Sequence, residues 1–94
     1  MSERIGLEAL DGGRISGWLA RPVSTPVGGI VLVQEIFGVN PHIRAVAEGY
    51  AAEGWLTLAP AFFDRIEAEV ELDYSPDGFA RGRAIVTELG VDAP

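Results

Sequence analysis

Apolar and polar residues alternate from Arg4 to Leu10 and again from Arg14 to Arg21, the period of a half-buried strand. Ile5, Leu7 and Ala9 share one face of the first stretch, and Trp18 and Ala20 share one face of the second. Between them, Asp11-Gly12-Gly13 supplies the positive φ values of a tight hairpin turn. Pro22, Ser24, Thr25, Pro26, Gly28 and Gly29 then cluster as breakers and predict a loop. The pattern changes at Ile30-Val31-Leu32-Val33, apolar at every position. Such a run predicts a central, parallel strand covered by helices on both faces.

Helical spacing takes over at Pro41 and lasts to Glu53, with Ile43, Val46, Ala47, Tyr50 and Ala51 on the apolar stripe. Asn40 is placed to cap this helix, Pro41 suits its first position, and Gly54 suits a left-handed stop. Trp55 to Ala59 predicts a second buried strand, ended by Pro60. Residues 30–59 therefore form a β-α-β unit, expected to be right-handed with parallel strands. Residues 61–74 are acidic and irregular and predict a solvated loop; their carboxylates do not follow a calcium-loop spacing. A last helix is predicted over 76–89, capped by Ser75, with Phe79, Gly82, Val86 and Leu89 inward and Gly90 ending it.

These elements fit one domain, the ceiling that 94 residues set. Hydrophobic residues at 48% and a mean hydropathy of +0.21 argue for a packed chain rather than a disordered one. Seven arginines and no lysine face fourteen acidic residues, a net charge of -7. Nucleic acid and anionic membrane surfaces are therefore not expected partners. With no basic, apolar leader and no run long enough to cross a bilayer, a soluble cytoplasmic protein is the default expectation. The absence of cysteine excludes disulfides, thiolate metal sites and a thiol nucleophile within these residues. No cofactor or metal is expected.

Chemistry in open α/β sheets gathers beyond the carboxyl ends of the parallel strands, which here means Gln34 to Asn40. A glutamate at the end of four aliphatic residues, one place beyond Gln34, is costly unless it is paired or faces a cavity, so Glu35 is a candidate site residue. Its plain alternative is a strand-end carboxylate that reaches water or an arginine such as Arg44. Arg81 and Arg83, early in the last helix, have the chemistry to grip a substrate carboxylate, or simply to be solvated or ion-paired. His42 has no evident nucleophile to serve. Neither a dinucleotide or P-loop glycine pattern nor a nucleophile elbow occurs.

The segment Val33-Gln34-Glu35-Ile36-Phe37-Gly38-Val39-Asn40-Pro41-His42-Ile43-Arg44 closely resembles the signature after the third strand of the dienelactone hydrolase family (carboxymethylenebutenolidase-like). Ala51-Ala52-Glu53-Gly54-Trp55, Leu58-Ala59-Pro60 and the Asp-Gly-Gly hairpin resemble the same family in register, so the likeness covers essentially the whole chain. It implies the N-terminal part of an α/β-hydrolase fold: a β-hairpin, a β-α-β unit and a further helix, with an incomplete sheet. It implies hydrolysis of an ester or lactone, of a substrate that bears a carboxylate, through a Cys-His-Asp triad lying beyond Pro94. By resemblance, Glu35 neighbours the nucleophile and influences its ionisation, and the Ile36 N–H forms half of the oxyanion hole. One of Arg81 and Arg83, with Arg81 the first choice, matches the arginine that binds the substrate carboxylate. The chain alone is then expected to be inactive, and its third strand, an open edge in the family's sheet order, invites self-association. The competing reading is a non-catalytic binding or assembly module; a nucleotide-binding β-α-β domain is disfavoured by the missing glycine fingerprint.

Overall fold

The computed structural model describes residues 2–89. Strands β1 (Ser2–Glu8) and β2 (Arg14–Ala20) form the hairpin, followed by β3 (Gly28–Val31), helix α1 (Pro41–Ala52) and β4 (Trp55–Pro60). A short 3₁₀ turn (Phe62–Arg65) and helix α2 (Pro76–Leu89) complete the chain. The sheet order is β1-β2-β4-β3. β2 pairs antiparallel with both β1 and β4, whereas β3 and β4 run parallel, as the β-α-β unit requires.

Helix α1 begins where the sequence places it. The Oδ1 of Asn40 accepts the Ile43 N–H at 3.1 Å, and Gly54 past the far end has φ +101. Its inner face carries Ile43, Ala47 and Ala51, all buried, while Tyr50, predicted on that stripe, is exposed. The two alanines let the helix approach the sheet closely, so Ala20, Ala47 and Ala51 make one small core with Trp18 and Leu32 beside it.

Three expectations need correction. First, β3 is an edge strand covered on one face among the described residues: Ile30 and Leu32 are half-buried, but Val31 and Val33 are 65% and 64% exposed. An all-apolar run marks a strand meant to be covered on both sides, and the second cover is not within these elements. Second, residues 61–74 are not merely a solvated loop. Phe63 and Val70 are buried against Ile85 of α2, a second core flanked by Ile66, Leu72 and Val86. The charges hid this, because they serve as anchors: Asp64 accepts the Ser16 N–H at 2.7 Å and its hydroxyl at 2.6 Å. Glu69 and Glu71 pair with Arg4 and Arg44, each at 2.7 Å. Third, α2 turns Gly78, Gly82 and Ile85 inward and leaves Phe79 47% exposed. Glycine backbones, rather than the predicted Phe79 side chain, make the contact. The expected stop at Gly90 lies outside the described residues.

Candidate active site

The segment after β3 leaves the sheet at Leu32, whose N–H still bonds to Leu58 O at 2.8 Å, and folds into a tight turn. Gly38 N–H closes it on Glu35 O at 3.1 Å, and Gly38 itself has φ +83. Gln34 braces the turn from the side, donating through Nε2 to Glu35 O at 2.9 Å. From the other side Leu72 N–H donates to Phe37 O at 2.8 Å, which ties the acidic segment to the turn.

Helix α2 seats directly on this turn. A Cβ on Gly82 would lie 2.1 Å from Ile36 O, so only glycine allows the approach. The helix start is held by a relay: Asp73 accepts from the Ser75 hydroxyl in a short hydrogen bond, and Ser75 Oγ accepts the Gly78 N–H at 3.1 Å. The Ser75 hydroxyl and then the Ser75 N–H hold the exposed Asp73 carboxyl below its ordinary value. A lowered carboxyl contributes stability at neutral pH that is lost as pH falls through its acid range. We expect Asp73→Asn to lower the urea midpoint at about pH 7 and to match the parent more closely at about pH 3. A gap of the same size at both pH values would show that the charge is not its source.

The Glu35 side chain is exposed, and its Oε1 accepts the Tyr74 hydroxyl at 3.2 Å. Arg44, the alternative partner, is committed elsewhere: its Nη1 reaches Glu71 at 2.7 Å and Val39 O at 3.0 Å, and its guanidinium lies 5.5 Å from the Trp18 ring centroid. The Ile36 N–H, among the described residues, makes no hydrogen bond. It is thus free to donate to an oxyanion. The aromatic wall of the site is Phe37, with the Tyr74 ring edge-on at 4.4 Å and the Phe79 ring at 6.5 Å.

The two arginines of α2 separate. Arg81 pairs with Glu67, whereas Arg83 makes no ion pair among the described residues and lies 5.9 Å from the Phe79 ring centroid. Phe79 in turn faces Phe37, so Arg83 is the guanidinium linked by contact to the Glu35–Ile36 turn. His42, second in α1, is exposed, with its ring edge-on to Tyr74 at a centroid separation of 6.2 Å. Tyr74 escaped the sequence reading, since nothing in an acidic segment announces that it folds back over the end of β3. Among the described residues no group of three His, Cys, Asp or Glu is placed to hold a metal ion. No helix there is long and apolar enough to cross a membrane. The cavity against Trp18, about 20 Å³ and lined also by Gln34, Val39 and Arg44, holds a single water at most and does not include Glu35 or Ile36.

A parallel β-α-β unit whose first strand runs into a turn with an uncommitted backbone N–H is compatible with the α/β-hydrolase layout, in which that loop supplies one oxyanion donor. The family model described as the dienelactone hydrolase family matches residues 15–92, and the chain belongs to that family. A provisionally named carboxymethylenebutenolidase of Synechocystis sp. is 44% identical over 77% of this chain and 30% of its own length. A second, from Azospirillum brasilense, is 36% identical over 94% of this chain and 39% of its own. A provisionally titled dienelactone hydrolase from Klebsiella pneumoniae, solved by crystallography, superposes with a TM-score of 0.65 at 26% identity, covering 95% of this chain and 41% of that one. The chain thus spans between about a third and two fifths of the length of these relatives.

Proposed function

We propose that these residues form the oxyanion and substrate-binding half of a hydrolase that opens ester or lactone bonds. The observation that supports this most directly is the Glu35-Ile36 pair on the turn after β3, in a chain that matches the family over residues 15–92. In this reading a cysteine outside the 94 residues attacks the carbonyl carbon as a thiolate, and its electron pair moves the carbonyl π electrons onto oxygen. Ile36 N–H donates to that oxygen, where charge develops. Collapse expels the alkoxide, and water then releases the acid from the thioester. Glu35 lies beside the nucleophile and governs its ionisation. Arg83, which makes no ion pair among the described residues, holds a substrate carboxylate; Arg81 would first have to leave Glu67.

The intact gene product should hydrolyse an activated ester or lactone and lose that activity on thiol alkylation, whereas residues 1–94 alone should not exceed the buffer rate. Resistance to alkylation would sink the cysteine mechanism, and turnover by residues 1–94 would sink the division of labour. Should the intact product bind such ligands without turning them over, the binding-module reading takes its place.

The isolated 94 residues should also self-associate through β3. Gly28 to Val33 carries no charge, and Val31 and Val33 stand open beside an unpaired strand edge. The net charge of -7 opposes association only until salt screens it. Sedimentation in buffered salt should show mass rising with concentration, and Val31→Lys should return the chain to monomer; a parent that stays monomeric throughout would remove the idea.

A further inference from the structure

Tyr74 takes no part in the chemistry set out above, yet it is the one side chain hydrogen-bonded to the Glu35 carboxylate among the described residues. Its hydroxyl lies between two groups of opposite character. It donates to Glu35 Oε1 at 3.2 Å and accepts from Asn40 Nδ2 at 3.4 Å. A phenol can do both at once, and receiving the Asn40 N–H directs its own proton to the carboxylate. Asn40 is a rigid base for this relay. It is 2% exposed, caps α1 through Oδ1 and also donates to Leu72 O at 3.3 Å. The ring is held edge-on to Phe37, and the next residues are fixed by the Asp73–Ser75–Gly78 relay at the start of α2.

We infer that Tyr74 is the positioning residue for Glu35, linking the cap of α1 and the start of α2 to the carboxylate. The inference rests on the role proposed above for Glu35. An exposed glutamate has three free torsions and in water visits many rotamers, few of them aimed at a reacting group. One directional hydrogen bond from a donor that is itself bonded to the buried Asn40 narrows that set without burying the carboxylate, so the carboxylate stays aimed. The arrangement leaves Tyr74 outside the reaction itself, acting through Glu35 alone.

Two measurements test this. In the 94-residue chain, the carboxyl ¹³C resonance of Glu35 should move in Tyr74→Phe and stay in Tyr50→Phe, which removes the hydroxyl of an α1 tyrosine. An unmoved resonance in Tyr74→Phe would overturn the contact. In the intact hydrolase, Tyr74→Phe keeps the ring and should lower kcat about fivefold, the scale of one hydrogen bond, with KM unchanged. The same change made on a Glu35→Gln background should cost nothing further. If Glu35→Gln lowers kcat and Tyr74→Phe does not, or if the two losses multiply, Tyr74 does not act through Glu35 and the inference fails alone. If Glu35→Gln leaves kcat intact, the role of Glu35 fails and takes this inference with it.

Discussion

Gly38→Ala should cost roughly 3–5 kcal/mol, a large part of what holds a small domain together. Two independent penalties coincide at this position. Its φ of +83 lies in the left-handed region, where an L side chain loses on the order of 1 kcal/mol. A Cβ there would also lie 2.1 Å from Val70 O and 3.0 Å from the carbonyl carbon, and neither is a flexible side-chain tip that can swing away. Relief requires the Val70 strand of loop to back off, which opens the core that Val70 shares with Phe63 and Ile85. At about 4–8 °C per kcal/mol for a domain of this size, the melting temperature should fall by more than about 12 °C. Gly49→Ala is the matched control, since nothing lies within 4 Å of its Cβ. In the interior of α1 that change should stabilise by about 0.5–1 kcal/mol. A Gly38→Ala protein that melts within 2 °C of the parent by calorimetry (about 0.5 kcal/mol) would mean the turn is not built as described.

What the sequence made legible was the part governed by local chemistry. Asn40-Pro41 and Gly54 bound α1 because caps and stops act over one turn of chain, and Ser75 does the same for α2. The parallel pairing of β3 with β4 follows from a single helix-length connection between two apolar runs. The errors all involve contacts between distant segments. Val31 and Val33 read as covered because their composition answers to a neighbour that the described elements do not supply. Phe63 and Val70 read as loop because the acidic residues around them outnumber them, and those acids turned out to be held by Ser16, Arg4 and Arg44 far along the chain. Within the site, Glu35 could be singled out from its place at the strand end, whereas Ile36 came only from the family resemblance of the Gln34–Asn40 segment. The split between Arg81 and Arg83 could not, because it depends on Glu67 being fourteen residues away and within reach.

Glu35→Ala should lower kcat of the intact hydrolase by about 100-fold or more, the range seen when a group that steers proton placement is removed. Stability should hardly change. The carboxylate is exposed and its structural contact is the one Tyr74 hydroxyl, so removing it belongs with surface substitutions worth at most about 0.5 kcal/mol. That combination separates the two readings of this residue, since a strand-end carboxylate kept for the fold would show the reverse. The turn beneath it is held by backbone atoms, Gly38 N to Glu35 O and Leu72 N to Phe37 O, neither of which needs the Glu35 side chain. Ile36 N–H therefore stays where it is in the variant, and the proposed oxyanion donor remains. Residual turnover should accordingly exceed the buffer rate, with KM near the parent's because Arg83, the arginine proposed to hold the substrate, is untouched. A variant with parental kcat would remove Glu35 from the mechanism, whereas one that loses both activity and melting temperature would make it a structural residue.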